Sequence, residues 1–171
     1  MIRNYPGVEY VITANGGDVY SVREGKRVYQ CLLEKESVEA AIAVRKRENM
    51  VLEVVIDGVP YAEEAYVKDP IQYLATEYGA KYIKATRKPV KDICRFAQKH
   101  AEELDSISFV CRYEDKERLY TSLDKEIPNI YVTSSVPNLM EVGHIDAGKG
   151  KTLLWLLKKL EISTEEAMAF G

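Results

Sequence analysis

Ile107-Ser108-Phe109-Val110-Cys111-Arg112-Tyr113 decides the fold. Ile107, Phe109, Cys111 and Tyr113 alternate with Ser108, Val110 and Arg112, the period of a strand with one face in a core. Immediately before it, Val90, Ile93, Cys94, Ala97, Ala101 and Leu104 fall at helical spacing and predict one continuous helix stripe. A helix feeding a half-buried strand is the unit from which the rest of the chain is read. Downstream, Glu114 to Glu126 predicts a helix, and Ile130-Tyr131-Val132-Thr133 and Leu139-Met140-Glu141-Val142 predict a closing pair of strands around a loop with Pro137.

Upstream, Ser37 is placed to cap a helix through Ala40, Ala41, Ile42 and Val44 to Asn49, and Leu52, Val54 and Ile56 alternate up to a turn at Asp57-Gly58. Asp69-Pro70 predicts a short helix through Ile71, Leu74 and Ala75 that stops at Gly79, followed by a short strand at Tyr82 to Ala85. Val8 to Thr13, then Val19 to Val22 and Arg27 to Tyr29 around Gly25, predict a strand and a hairpin. Ser37 to Gly143 thus reads αββ, αβαβ, αββ. Helices alternating with strands that come partly in hairpins imply an α+β fold, a mixed or antiparallel sheet with helices on one face. At the other end, a glycine-rich loop from His144 to Gly150 leads into a leucine stripe, Leu153 to Leu160. Ser163 and Glu166 have capping-box spacing, and Ala167 to Gly171 predicts the start of a buried strand.

With 171 residues, 46% of them hydrophobic, the chain can bury a real core. Its 24 basic and 27 acidic residues give a net charge of −3 and are mixed along the sequence, so no basic block tracks a phosphate backbone and a nucleic-acid partner is not expected. No apolar run has the length of a membrane span, and Met1 to Pro6 lacks the apolar stretch of a signal peptide, so the expected compartment is cytoplasmic, with no membrane partner. Cys31, Cys94 and Cys111 are odd in number and far apart, the pattern of reduced core thiols. His100 and His144 have no carboxylate spacing around them that builds a metal site; no metal ligands are assigned.

Gly148-Lys149-Gly150-Lys151-Thr152 invites a phosphate-loop reading, in which glycines expose backbone N–H groups and a lysine adds charge. That pattern fails: with Gly143 and Gly148 in register, Gly150 stands where Ser or Thr would ligate Mg²⁺, and in the other frame Ile145 stands where glycine is needed. A different pattern fits better. Lys149-Gly150-Lys151-Thr152-Leu153, followed by Leu156-Leu157-Lys158-Lys159-Leu160-Glu161-Ile162-Ser163-Thr164-Glu165-Glu166-Ala167-Met168-Ala169-Phe170-Gly171, resembles the third motif of Cof-like phosphatases of the haloacid dehalogenase superfamily, with Glu161 in place of the usual glycine. Val11-Ile12-Thr13-Ala14-Asn15-Gly16-Gly17 resembles the segment of that family joining core to cap, and the αββ(αβαβ)αββ order resembles its type IIB cap.

The resemblance implies three parts. Residues 1–17 form a remnant of a Rossmann-like α/β core, 18–143 the cap, and 144–171 a second core remnant with the lysine-motif helix. It also implies phosphoryl transfer through an aspartyl-phosphate, with Mg²⁺ in the intact family enzyme and a small phosphorylated metabolite as substrate. Lys149 is the implied catalytic cation, and Asn15, Gly16 and Gly150 the implied substrate-binding residues. On composition alone Lys149 reads as a solvated loop lysine. No Asp-x-Asp-Gly-Thr nucleophile motif is present, since Asp57-Gly58-Val59 lacks both the paired Asp and the Thr, and the Asp-rich fourth motif is absent as well. The chain is therefore expected to be catalytically incompetent, to bind no cofactor and to self-associate through the core remnant. The alternative is a noncatalytic module that holds a small ligand or a protein through Tyr61, Tyr66, Tyr73, Tyr78 and Tyr82.

Overall fold

A computed structural model describes residues 6–170. The chain divides into two compact units: Leu32–Ile145 forms one, and Met1–Cys31 together with Asp146–Gly171 the other.

The larger unit is built on a six-stranded sheet. Its elements are α1 (Lys35–Glu48), β4 (Val51–Ile56), β5 (Val59–Glu63), α2 (Glu64–Lys68), α3 (Glu77–Thr86), β6 (Lys88–Val90), α4 (Ile93–Lys99), β7 (Leu104–Val110), α5 (Lys116–Glu126), β8 (Ile130–Thr133) and β9 (Leu139–His144), the labels β1 to β3 belonging to strands of the smaller unit given below. The sheet order is β6-β5-β4-β7-β9-β8. The β5–β6 pair is parallel and all others antiparallel, so the sheet is mixed. Strand alternation sends Leu52, Val54, Ile107, Phe109, Met140 and Val142 to one face, where α1, α4 and α5 close a continuous core. The opposite face carries a smaller cluster of Ala62, Tyr66, Ile83 and Val110.

Several sequence expectations change in this unit, each for a local reason. Ser37 does not cap α1; Glu34 stands at the N-cap, and the buried Ser37 hydroxyl instead donates to the Pro128 carbonyl at 2.8 Å. Residues 82–85 are helical, not a strand. The Thr76 hydroxyl accepts from the Gly79 amide at 3.1 Å, which starts α3 where a stop was expected, and the neighbouring strand is Lys88–Val90. The apolar stripe from Val90 to Leu104 is not one helix. Asp92 caps α4 by accepting from the Arg95 amide at 2.9 Å, His100 leaves helical geometry at φ −109°, ψ 26°, and Leu104 already begins β7. β7 ends at Val110, and Tyr113–Asp115 is a 3₁₀ turn.

In the smaller unit, β1 (Tyr10–Thr13), β2 (Asp18–Ser21) and β3 (Lys26–Gln30) make an antiparallel sheet in the order β1-β2-β3, and α6 spans Lys149–Lys159. The sequence boundary after Gly17 thus falls inside this sheet, and the hairpin from Asp18 to Gln30 belongs with β1. The capping box of Ser163 and Glu166 is formed, but it closes a single 3₁₀ turn, Thr164–Glu166. Ala167 to Phe170 is irregular and exposed where a buried strand was expected; Gly171 and Met1 to Tyr5 lie outside the described residues.

Candidate functional site

The Lys-Gly motif opens α6, with Gly148 at the N-cap (φ 155°, ψ 135°) and Lys149 in the first helical position. What fixes this helix start is a backbone-to-backbone approach. A Cβ on Gly16 would lie 2.3 Å from the carbonyl carbon of Gly148 and 2.6 Å from the Lys149 nitrogen, so no side chain fits there. Gly16 itself sits at φ +101°, and the preceding Ala14 and Asn15 are also left-handed, at φ 49° and 53°. The Asn-Gly pair in the sequence has this cause: Asn and Gly are the residues that accept left-handed geometry most readily.

Thr152 completes the junction. Its fully buried hydroxyl donates to the Gly16 carbonyl, while its amide donates to the Gly148 carbonyl at 2.9 Å as the first turn of α6 closes. The sequence places Thr152 within the lysine motif and assigns it no role of its own. Its structural signal was a threonine one turn into a leucine-striped helix, facing a glycine pair far away in sequence.

The structure therefore brings Gly16 against the Gly148–Lys149 peptide. Lys149 and Gly150 are exposed, Asn15 is half-buried and Gly16 is buried. The Lys149 ammonium makes no hydrogen bond or ion pair among the described residues, whereas the Lys151 ammonium lies 3.5 Å from Asp146. A Cβ at Gly150 would meet nothing within 4 Å. The first-turn amides of α6 have no partner within the helix and carry the positive end of its dipole, so this end of α6 favours an anion. Within the same unit Tyr29 packs at a tilt against Trp155, ring centroids 4.6 Å apart, and burial pushes both the Tyr29 phenol and the Cys31 thiol up from their ordinary values.

Mg²⁺ does not fit the donors present. Mg²⁺ takes an octahedral shell of oxygens, and among the described residues no group of three or more His, Cys, Asp or Glu is placed to hold a metal. The histidines are engaged elsewhere: His100 Nδ1 lies 3.2 Å from Glu103, and His144 Nε2 lies 3.5 Å from Glu34. Among the described residues none of the three cysteines forms a disulfide, and Cys94 and Cys111 are buried. No helix among the described residues is long and apolar enough to cross a membrane.

Comparison with solved structures finds the same fold in a haloacid dehalogenase-like hydrolase from Bacteroides thetaiotaomicron, with a TM-score of 0.75 and 18% identity over 95% of this chain and 58% of that one. A haloacid dehalogenase-like hydrolase from B. subtilis gives 0.70 and 18% over 94% of this chain and 62% of that one. A sugar phosphatase of haloacid dehalogenase subclass IIB gives 0.67 and 14%, over 93% and 55%. The chain thus spans less than two thirds of the length of each of these. Comparison with curated protein sequences gives no match. The sequence profile of the haloacid dehalogenase-like hydrolases matches residues 1–171, and the chain belongs to that family.

Proposed function

We propose that this chain is the specificity-determining part of a Cof-like phosphatase that hydrolyses a small phosphorylated metabolite through an aspartyl-phosphate, and that the chain as it stands does not turn over substrate. In this reading Leu32–Ile145 acts as the type IIB cap, and Met1–Cys31 with Asp146–Gly171 as part of the catalytic core. The observation that carries the reading is the Gly16–Gly148–Lys149 junction. Two segments far apart in sequence, both resembling family motifs, meet with a backbone fit that only glycine permits.

The chemistry assigned to the chain's own residues is electrostatic. The ammonium of Lys149, beside the positive end of the α6 dipole, stabilises charge on a phosphoryl group during transfer. Gly150 keeps its amide open to that group, and Asn15 and Gly16 hold the loop in register with it. The attacking carboxylate and the Mg²⁺ ligands of the intact enzyme belong to motifs that this sequence does not contain. The working compartment is proposed as cytoplasmic, without nucleic-acid or membrane partners, and self-association is proposed through α6, where Leu154 is 56% exposed.

The test is a gene in which this sequence is preceded by an Asp-x-Asp-Gly-Thr strand and followed by a Gly-Asp-x-x-Asn-Asp segment. Its product should release phosphate from phosphorylated metabolites when Mg²⁺ is present, and Lys149→Ala should lower kcat by about 10²–10³, the effect of removing one preorganised stabilising group. Hydrolysis indifferent to Lys149→Ala would remove the lysine from the chemistry.

A further inference from the structure

The larger unit contains a cavity of about 510 Å³ that the phosphoryl reading does not use. It opens on the sheet face opposite the main core, between α3, the loop at residues 135–138 and the strands carrying Glu53 and Glu141.

Its floor is a buried ion pair. The Glu53 side chain is 4% exposed and that of Arg87 13%. Arg87 donates through Nη2 to Glu53 Oε2 at 2.8 Å and through Nε at 3.1 Å, while its Nη1 donates to Thr86 Oγ1 at 2.9 Å. The guanidinium also lies over the Tyr82 ring, 4.9 Å from its centroid. Three of the five guanidinium N–H donors are thereby engaged, and the fork is locked with donors to spare. Burial, reinforced by the Glu53 carboxylate, raises the Tyr66 phenol well above its ordinary value, so it stays protonated beside that carboxylate.

The mouth is unlike the floor. Tyr78 is 84% exposed, Tyr82 57%, Leu74 49% and Val136 46%, a set of large apolar side chains facing water around one concavity. Ligand cavities combine such walls with a few fixed polar groups. The charges decide what enters. Two carboxylates, Glu53 and Glu141, stand against one guanidinium that is already neutralised by Glu53, so a phosphate finds no free positive charge here. A polyol would need more polar partners than these walls supply. A flat ring that stacks on tyrosine and presents an acceptor to Arg87 and a donor to Glu141 matches the inventory.

We propose that this cavity is a binding site for a planar nitrogen heterocycle that carries both donor and acceptor groups and no phosphate. The proposal stands apart from the phosphatase reading and from Lys149. It is tested by following backbone amide resonances of the 171-residue chain during titration with adenine and nicotinamide, with glucose and inorganic phosphate as counter-probes. The heterocycles should move the amides of Gly79 to Arg87 and of residues 138–141, saturating at about 1 mM, while glucose and phosphate leave those amides in place. Tyr82→Ala and Glu141→Gln should each weaken the heterocycle by about tenfold. Tyr78→Ala, at an exposed position that the fold does not need, should weaken it without altering thermal stability, and Lys149→Ala should leave it unchanged. Heterocycles that move no cavity amide, or glucose or phosphate acting on the same amides as strongly, would overturn the proposal. So would binding unaffected by both Tyr78→Ala and Tyr82→Ala.

Discussion

Each of the two units is stabilised internally by a different means. Leu32–Ile145 has a continuous apolar core in which Phe109, Leu52, Ile93, Leu104 and Leu123 are each fully buried. In Met1–Cys31 with Asp146–Gly171 the buried apolar residues among those described are Val19, Ala147 and Leu156, and the junction is set by glycine backbone and one threonine hydroxyl. The first unit is a packing solution, tolerant of redesign where volume is kept. The second is a geometric one, where a single atom in the wrong place matters and most apolar changes do not.

The contrast is broken most severely in the core. Phe109→Ala should cost about 3–5 kcal/mol, from lost transfer energy plus the cavity left behind, read as a fall in the urea midpoint. A loss below about 1 kcal/mol would mean the sheet relaxes around the gap and the packing description is wrong.

Gly16→Ala should come next, at about 1–3 kcal/mol, because the new methyl meets the Gly148 carbonyl carbon at 2.3 Å and the position is left-handed. Gly150→Ala is its control. With nothing within 4 Å of the new methyl, it should leave stability unchanged or raise it by a few tenths of a kcal/mol through helix propensity. Equal effects at the two glycines would dissolve the distinction between a built junction and an ordinary loop. Thr152→Val keeps the shape but removes the donor to the Gly16 carbonyl, and should cost about 1–3 kcal/mol as a buried acceptor goes unpaired.

Much of this was legible in the sequence, and the misses have physical causes. Strands with clean alternation, such as Ile107 to Val110 and Leu52 to Ile56, were readable because a two-residue period has no helical equivalent. Helix ends were not. The stripe from Val90 to Leu104 carried helical spacing across β6, α4 and β7, and only the cap at Asp92 and the break at His100 separate them. Gly79 read as a stop because a glycine in a helix is costly, yet capping by Thr76 outweighs it. The Lys149 motif was legible as a motif, while its dependence on Gly16 and Thr152 was not, since that contact joins residues 136 positions apart.

Alkaline pH sharpens the comparison from the side of the larger unit. Burial raises the thiols of Cys94 and Cys111 above their ordinary value of 9.0, so the folded chain keeps protons that the unfolded chain releases. With fewer protons bound in the unfolded state, stability falls as pH climbs through 9.0. Urea midpoints at about pH 7 and about pH 10 should show the drop, and a Cys94→Ala, Cys111→Ala variant should show less of it. A midpoint that rises with pH has the wrong sign for this account. The smallest effect is association. Light scattering of the concentrated protein should show a dimer or larger species that Leu154→Glu reduces to monomer, and a clean monomer from the start would count against self-association through α6.

The central claim is that the junction around Lys149 can stabilise a transferring phosphoryl group but cannot begin the transfer. Its most direct test is an assay of the purified 171-residue chain against p-nitrophenyl phosphate and a panel of sugar phosphates with Mg²⁺ present. The account predicts no turnover above buffer, with or without Lys149→Ala. Hydrolysis that survives repeated purification and drops when Lys149 becomes alanine would contradict it, and would place a nucleophile among the residues of this chain.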